Sequence, residues 1–580
     1  MAAALFVSVP PASGYAQNDS PQVCPHGRIS QIVIDNHSIF ETGDGGADGS
    51  ASWIERLANA LHIKTRASFI RRELLFREGD CYDPFLLEES GRLLRQYSFL
   101  AQADVAAVDE PDGNKRVVVH TKDDWTTKVD LGVSVDRGLR LEVLDVSEEN
   151  LLGRGILASA FLRQREERRD IGGRLRVPHF LGTRFIASLQ AGRTRVGTFV
   201  DQSMAYPFLG EVGRVSLYQI YRRYDELFPY ATSGEQPFSH VLLPRLDKRL
   251  EIRAAGRVGH PGNLTTLGLG ISRSTLDFDG FPANVEIARN SNFSATDSAP
   301  TGVADLLVGQ ARGYSITSVE LLIGQSNVHF RRVRGLDALD GETDVRLGTQ
   351  FDGSVGRSVG VRPEVGQAHT ETMNAGGRLY GAGGIGSSLL LGNLELQGRQ
   401  FLSGGPARNG WSDVIAELDL YAYLRSRRLP HQTVFARVSG GGGWNMTTPF
   451  QLTLGGRSNL RGLTISDFPG GRRLLFTVED RVFVPWPMPR VFDTGFTLFG
   501  DAGRVWAGDV PYGIDSGWRG TLGFGLRFGF PAGTRNVLRA DLAFPVGVPG
   551  ARSPVFRITL KELLGLTAGF EDPQLQRSRR

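Results

Sequence analysis

From Thr126 to about Leu563, apolar and polar residues alternate in runs of about ten residues, separated by Gly, Pro, Asp and Asn. The run after Trp518 is the clearest, because every second residue from Leu522 to Phe530 is Leu or Phe. The residues between them are glycines and Arg527. A period of two is that of a β-strand, so this region predicts a long series of strands without helices.

A soluble sandwich also alternates, with its apolar face inward. Two observations favour a membrane barrel instead. The alternation continues from Thr126 to Leu563 without a domain break, and its polar faces carry both signs, such as Glu417, Asp419 and Arg527. We therefore predict a membrane all-β protein, with an antiparallel transmembrane β-barrel over residues 124–563. We expect roughly 16 strands, with 18 as the second choice, because chain ends on one side require an even number.

Residues 27–123 have a different pattern. "RISQIVI" reads as a strand, the segments "SWIERLANALHI" and "TRASFIRRELLF" have helical spacing, and "DPFLLEESGRLLRQYSFL" reads as a helix. Asp83 is a suitable N-cap for this last helix, with Pro84 at its first position. Two further strands are joined by "EPDGN", a hairpin turn. The pattern predicts a small β-α-α-β-β domain.

The chain ends and the composition set further limits. Residues 1–16 are typical of a signal peptide that is incomplete, since no Lys or Arg precedes Arg28, and a frayed N-terminus is the alternative. Residues 564–580 form a C-terminal tail. Cys24 and Cys81 are the two cysteines, and either a disulfide or two separate thiols is compatible with the sequence. The net charge of +4 gives no case for a nucleic-acid surface.

Three segments resemble the BamA/TamA family of outer-membrane assembly factors. "IRRELLFREGDCYDPFLLEES" resembles part of a POTRA domain, so the domain at 27–123 is interpreted as one POTRA domain. "ENLLGRG" resembles an early barrel segment, and "GGRSNLRGL" resembles the family's sixth extracellular loop. The resemblance implies that the loop at 454–472 folds back into the barrel lumen.

The resemblance also implies a clamp around Arg461 and Gly462 in this loop. In the family the arginine is held by acidic residues on the next two strands, and the matching positions are Glu479 and Asp501. The alternation independently places both carboxylates on the inward face of their strands. Leu463 stands where the family usually has an aromatic residue. The clamp is open to two interpretations. It is either a structural clip for the loop, or it directly sets how the first and last strands separate or how the lumen opens.

The implied function is assisted insertion of outer-membrane proteins, or translocation of polypeptides, in the bacterial outer membrane. Unfolded clients would bind the POTRA domain in the periplasm by β-augmentation, and the barrel would be a monomer in the lipid bilayer, with or without periplasmic accessory proteins. The alternative is a passive pore or structural surface barrel. We expect no enzymatic activity, no cofactor and no metal site. The motifs "GRSVG" and "GAGGIG" lack the strand and helix context of a nucleophile elbow or dinucleotide fold.

Overall fold

The computed structural model describes residues 24–40, 53–136, 138–165, 168–234, 236–290, 293–359, 370–403, 410–426, 428–456, 460–463, 467–488, 491–548 and 553–562. The expected signal peptide at 1–16 and the tail at 564–580 lie outside these residues.

The N-terminal domain has three helices between its first and second strands. Its elements are β1 (Ile29–His37), α1 (Trp53–Leu61), α2 (Ala67–Glu73), α3 (Pro84–Arg95), β2 (Leu100–Asp109) and β3 (Lys115–Asp123). The predicted β-α-α-β-β order is therefore wrong. It counts "SWIERLANALHI" and "TRASFIRRELLF" as one helix, and they form two separate helices, α1 and α2. These elements do not by themselves identify a POTRA domain. The sheet order is β1-β3-β2, with β1 parallel and β2 antiparallel to β3.

Helix α3 begins as the sequence predicts. The Asp83 carboxylate accepts a hydrogen bond of 2.9 Å from the backbone N–H of Phe85, and Pro84 occupies the first helical position. Its apolar face, with Leu87 and Leu94, packs against the sheet residues Val117 and Val119. Buried apolar area of this kind is what allows a small domain to hold its shape.

The barrel strands follow in chain order. The first group is β4 (Thr127–Asp136), β5 (Gly138–Leu151), β6 (Ile156–Arg165), β7 (Arg168–Val177), β8 (Ile186–Arg193), β9 (Thr198–Tyr206), β10 (Val215–Ala231), β11 (His240–His260) and β12 (Asn263–Asp277). A long connection follows, with β13 (Glu286–Ala288), β14 (Thr296–Ser298) and α4 (Thr301–Asp305).

The second group begins after this connection. It is β15 (Tyr314–Arg334), β16 (Glu342–Ser358), β17 (Glu371–Ile385), β18 (Ser388–Ser403), β19 (Trp411–Ser426) and β20 (Leu429–Trp444). A second long connection contains β21 (Leu452–Leu454) and β22 (Phe468–Gly470). The last group is β23 (Arg472–Val484), β24 (Asp493–Trp506), β25 (Arg519–Gly529), β26 (Asn536–Val546) and β27 (Val555–Glu562).

The barrel is closed and antiparallel, with 20 strands. The class expected from the sequence is correct, and the expected number of 16 or 18 strands is wrong. β12 pairs directly with β15, so the short β13 and β14 lie outside the ring of 20. The number is even, which places the first and last strand ends on the same side.

The outer surface is apolar and the interior is polar. Leu522, Phe524 and Leu526 are 61%, 51% and 66% exposed, whereas the inward Thr521 and Arg527 are 1% and 3% exposed. A soluble protein would have the reverse arrangement, so this is the pattern of a transmembrane β-barrel. Among the described residues, no helix is long and apolar enough to cross a membrane.

Asp480 has an outward position on β23, which the alternation alone does not explain. Both of its carboxylate oxygens accept hydrogen bonds of 2.8 Å from the Gln432 amide on the adjacent strand β20. The pair lies toward the end of β23 that is closer to the N-terminal domain. A neighbouring amide thus satisfies a carboxylate in the lipid-facing phase.

The ring is closed by a short seam between the first and last strands. β4 pairs with β27 only over residues 132–135 and 556–559. In contrast, β10 pairs with β11 over its whole length, Val215–Ala231. The seam therefore has fewer backbone hydrogen bonds than its neighbours in the barrel.

The N-terminal domain packs against one end of the barrel, which we call the near rim; the opposite end is the far rim. Arg95 of α3 donates to Asp344 at the start of β16, with a nitrogen–oxygen distance of 2.8 Å. Arg535 of the turn before β26 donates to the carbonyls of Arg95 and Tyr97 at 2.9 and 2.6 Å. Asp344 and Arg535 belong to different parts of the barrel, so the N-terminal domain is attached to the near rim at more than one point.

Candidate functional site in the barrel lumen

The connection between β20 and β23, residues 445–471, leaves the far rim and folds into the barrel. We call it the inward loop. Its apolar side chains Leu454, Leu460 and Leu463 are buried, and they pack against Leu475 of β23 and Val505 of β24. An apolar patch on the inner wall of a wet lumen is unfavourable unless it is covered, so burial of these leucines holds the loop inside.

Two glycines allow this close approach. A Cβ atom at Gly503 on the wall would lie 2.6 Å from Leu460 Cδ1, and one at Gly462 would lie 2.9 Å from Thr521 Cγ2. The Gly462 N–H donates to Thr521 Oγ1 at 3.2 Å. The sequence-predicted Gly462 therefore brings the loop backbone against β25.

Arg461 lies at the tip of the inward loop and contacts both predicted acidic partners. Its Nε and Nη2 donate to the two oxygens of Asp501 at 2.9 and 2.8 Å, and its Nη1 donates to Glu479 Oε1 at 2.7 Å. The guanidinium carbon also lies 3.5 Å from the centre of the Phe499 ring. The Asp501 pair is bidentate, which fixes orientation as well as charge.

Glu479 is shared by four arginines. Besides Arg461, its oxygens accept from Arg481 at 2.8 Å, Arg527 at 2.9 Å and Arg539 at 3.2 Å. Arg539 also pairs with Asp541 at 3.2 Å. A carboxylate oxygen accepts more than one hydrogen bond, so one buried Glu joins its own strand β23 to β25, β26 and the inward loop.

Arg557 connects the inward loop to the seam. It lies on β27, and its Nε and Nη2 donate to the backbone carbonyls of Arg461 and Leu463, both at 3.0 Å. Its Nη1 donates to Glu142 of β5 at 2.7 Å. One side chain of the last strand therefore contacts the loop tip and the second strand of the barrel.

The same network reaches a turn of the near rim. Residues 335–341 connect β15 to β16, and Asp337 in this turn accepts hydrogen bonds from Arg481 at 3.0 Å and Tyr423 at 2.9 Å. Arg481 also donates to the Leu336 carbonyl at 3.0 Å. Glu479 is thus linked through Arg461 to a far-rim loop and through Arg481 to a near-rim turn.

The formal charges of this cluster balance. The members are Arg461, Arg481, Arg527, Arg539, Arg557, Glu142, Asp337, Glu479, Asp501 and Asp541. A balanced, hydrogen-bonded set can remain buried where a single charge would not. Its hydrogen bonds to Arg461 and to the loop carbonyls hold the inward loop against the barrel wall.

The sequence identifies part of this cluster and misses part. Arg461, Glu479 and Asp501 are brought together, as the loop motif and the strand phase suggest. Arg481 and Arg557 are not among the predicted site residues, although their inward phase is readable. Strand phase gives the face of a side chain but not its height in the barrel, which depends on the stagger between strands.

The two remaining predictions concern cysteines and metals. Cys24 and Cys81 form a disulfide, with Cα atoms 5.3 Å apart. Although no metal site is expected, Asp35, His37 and His120 have potential ligand atoms that all lie within 4.8 Å of one another. Hydrogen bonds from His120 and His37 lower the pKa of Asp35. Those bonds account for the grouping, so we assign no ion to it.

No protein-family model matches this chain, and no curated protein matches it. Among solved structures it is similar to BamA from Haemophilus ducreyi lacking POTRA domains 1–3, at 14% identity and a TM-score of 0.38, covering 91% of this chain and 84% of that one. CdiB from Acinetobacter baumannii gives 12% and 0.36, covering 92% and 73%. CdiB from Escherichia coli gives 10% and 0.34, covering 95% and 93%. Likenesses at this level do not assign a function.

Proposed function

We propose that this protein is a bacterial outer-membrane barrel of the BamA/TamA type that assists insertion of outer-membrane proteins or translocation of polypeptides. The observation that carries the proposal is the Arg461 contact with Glu479 and Asp501, in a loop whose sequence resembles that family's motif. This charge-paired loop packs inside the barrel, where an open diffusion pore has a water-filled channel.

The short seam supports the same activity. A client strand that enters between β4 and β27 has to replace only the hydrogen bonds over residues 132–135 and 556–559. Backbone pairing with an open strand edge provides affinity with little sequence preference. Because Arg557 joins β27 to the inward loop, the loop position and the seam are coupled.

The N-terminal domain serves in this proposal as a periplasmic POTRA domain. Its sheet ends in two edge strands, β1 and β2, and an edge strand has unpaired backbone groups that an extended polypeptide can bind. Its fixed position at the near rim would present such a client to the barrel.

Reconstitution tests the proposal. The purified chain in liposomes should accelerate folding of an urea-unfolded outer-membrane barrel, and Arg461→Ala should weaken the acceleration. The matched control is Arg504→Ala, which removes an exposed arginine paired with Asp515 at 2.6 Å, away from the lumen. Equal acceleration by the wild type and Arg461→Ala would contradict a role for the clamp.

A reversible lock tests the seam separately. Val133 and Ile558 are partners across it, so Val133→Cys with Ile558→Cys should form a disulfide that stops acceleration until reductant is added. Leu420→Cys with Val438→Cys locks β19 to β20 and should have no effect. If the locked seam is as active as the wild type, client insertion there is excluded.

The passive pore or structural barrel is the second candidate. The balanced charge cluster favours it, because such a cluster resists movement of the inward loop. Its signature would be steady ion conductance without acceleration of client folding. The two functions are thus separated by one liposome preparation assayed in both ways.

A further inference from the structure

A second polar site lies on strands of the barrel wall that precede the Arg461 clamp in the ring. It is a cavity of about 100 Å³, lined by residues of β11, β12 and β15–β19 that include Arg249, Arg253, Glu320, Arg399 and Asp413. A water molecule needs only about 10–15 Å³ measured in this way, so the space suits several waters or one small oxyanion.

Arg399 is the decisive residue. It is only 4% exposed, and its Nε and Nη1 have no hydrogen-bond partner among the residues that the structure describes. Its guanidinium carbon lies 4.5 Å from the centre of the Tyr314 ring, a contact that satisfies none of its N–H groups. Arginine stays charged in proteins, so a buried guanidinium requires an acceptor from another source.

The other charged groups around the cavity already have partners. Arg249 and Arg253 pair with Glu251 at 2.6 and 2.7 Å, and Arg253 also pairs with Glu320 at 2.9 Å. Glu320 accepts a further hydrogen bond from Ser272 at 2.9 Å. These groups balance one another, and Arg399 takes no part in their hydrogen bonds.

Asp413, the remaining carboxylate, is directed to the inward loop. Its oxygens accept from the backbone N–H groups of Thr447 and Thr448 at 2.7 and 3.1 Å and from their hydroxyls at 2.6 and 3.0 Å. Asp413 has a positive φ of 48° at an irregular step in the pairing of β18 with β19. Such bulges redirect side chains, and here the carboxylate is occupied by the loop.

Neutral donors complete the lining. Ser318, Ser354, Asn374 and Gln397 add hydroxyl and amide groups without adding charge. An oxyanion takes hydrogen bonds from a planar guanidinium fork and from such neutral donors. From the buried Arg399 Nε and Nη1 groups that lack partners in a polar cavity, we infer that this site binds a small oxyanion of the phosphate or carboxylate class, with Arg399 as its principal ligand.

Titration of the full chain in detergent with inorganic phosphate, at constant ionic strength set with sodium chloride, tests this inference. The expected result is saturable binding of one phosphate per chain, weakened at least tenfold in Arg399→Gln. Arg174→Gln is the matched control, because Arg174 is an inward arginine on β7 that already donates to Gln190 at 3.0 Å. A parallel titration with acetate distinguishes a phosphate ligand from a carboxylate.

A second measurement uses the wild type and does not depend on the folding of a variant. Phosphate should protect Arg399 from modification by phenylglyoxal, read by peptide mass spectrometry, while Arg504 stays unprotected. If neither phosphate nor acetate binds beyond the effect of ionic strength, or if Arg399→Gln binds equally well, water alone satisfies Arg399 and the inference is overturned.

Discussion

At the scale of single residues, Glu479 has more arginine partners than Asp501, the other predicted acidic residue of the clamp. Four guanidiniums contact its two oxygens, whereas Asp501 receives Arg461 and the Thr477 hydroxyl at 3.0 Å. If a buried carboxylate that several arginines share is removed, each of those arginines loses part of the charge that compensates its own. The two acidic residues are equivalent in the sequence motif but not in the structure.

Glu479→Gln should therefore destabilise the protein more than Asp501→Asn. We expect a loss of about 3–5 kcal/mol in the free energy of unfolding for Glu479→Gln, typical of breaking a buried ion pair. For Asp501→Asn we expect about 1.5–3 kcal/mol, because Arg461 keeps Glu479 as a partner. Urea unfolding in lipid vesicles measures both.

The control for this comparison is Asp515→Asn, which removes the exposed partner of Arg504. Solvent screens an exposed pair, so the change in stability should be small. Equal losses for Glu479→Gln and Asp501→Asn would show that the four-arginine arrangement adds nothing.

The sequence predicts the Arg461 clamp better than it predicts the rest of the cluster. A loop motif and two inward-phase carboxylates suffice to name Arg461, Glu479 and Asp501. Arg539 and Arg557 are distant in sequence from the loop. Arg539 reaches Glu479, and Arg557 reaches the Arg461 carbonyl, only through the strand stagger of the closed barrel. The local alternation of residues shows which face of a strand a side chain occupies. The stagger of the strands in the closed barrel decides which inward side chains lie at the same height.

At the scale of elements, the turn between β5 and β6 shows how the domain and barrel fit together. The Asn150 amide donates to Thr65 Oγ1 at 2.8 Å, and its carbonyl oxygen accepts from the Gly155 N–H at 2.7 Å. The Gly153 carbonyl accepts from the Arg66 N–H, just before α2, at 2.9 Å. The segment "ENLLGRG", which resembles an early barrel segment, thus forms part of the domain interface.

Gly155→Ala should weaken this interface. Gly155 has a φ of +66°, and a Cβ atom there would lie 2.6 Å from the Phe69 ring in the domain core. We expect about 1–2 kcal/mol from the left-handed backbone and about 1–3 kcal/mol from overpacking. The urea midpoint of the N-terminal domain, followed by near-ultraviolet circular dichroism, reports the change.

Gly182→Ala separates these two causes. Gly182 has a φ of +77° and open space within 4 Å, so only the backbone cost of about 1–2 kcal/mol applies. A loss at Gly155 no larger than that at Gly182 would mean that Phe69 moves aside without cost.

A second interface turn gives a pH dependence. His179 lies between β7 and β8, and its Nε2 is 3.1 Å from Glu73 of α2. Burial, with Arg184 and Arg72 nearby, lowers the pKa of His179 to about 4 from 6.5. Between these two values the unfolded chain binds more protons than the folded chain, so this residue makes stability fall as pH decreases from 6.5 toward 4.

The His179→Gln variant should show a smaller loss of stability between pH 7 and pH 5 than the wild type. Burial raises the pKa of Glu73, which gives the opposite slope in both proteins, so their difference isolates His179. Urea midpoints at the two pH values measure it. Parallel curves for the two proteins would contradict a lowered pKa.

At the scale of the whole molecule, the alternation predicts the barrel but not its size. The chain from Thr127 to Tyr206 contains six strands of 8–14 residues, while β11 and β15 have 21 residues each. Strands that extend beyond the membrane and loops with their own strands, such as β13 and β14, have the same period. The alternation therefore predicts the fold class, whereas the number of strands depends on the direct pairing of β12 with β15.

The outward apolar surface makes a further prediction. Phe524 lies near the middle of β25 and is 51% exposed, so Phe524→Arg should reduce stability in vesicles by about 2–4 kcal/mol. Val196→Arg, in the far-rim turn after β8, should cost about 0–1 kcal/mol. Comparable losses at both positions would argue against a hydrocarbon layer around β25.

The position of Arg557 sets an order for assembly of the barrel. Its three donor contacts require the carbonyls of Arg461 and Leu463 and the Glu142 carboxylate to be present before its charge is compensated. If β27 docked while the inward loop remained outside, its guanidinium would be buried with two acceptors missing. We expect the strand that completes the ring to dock stably only after the loop has entered, so the C-terminal strand acts as a checkpoint on the interior.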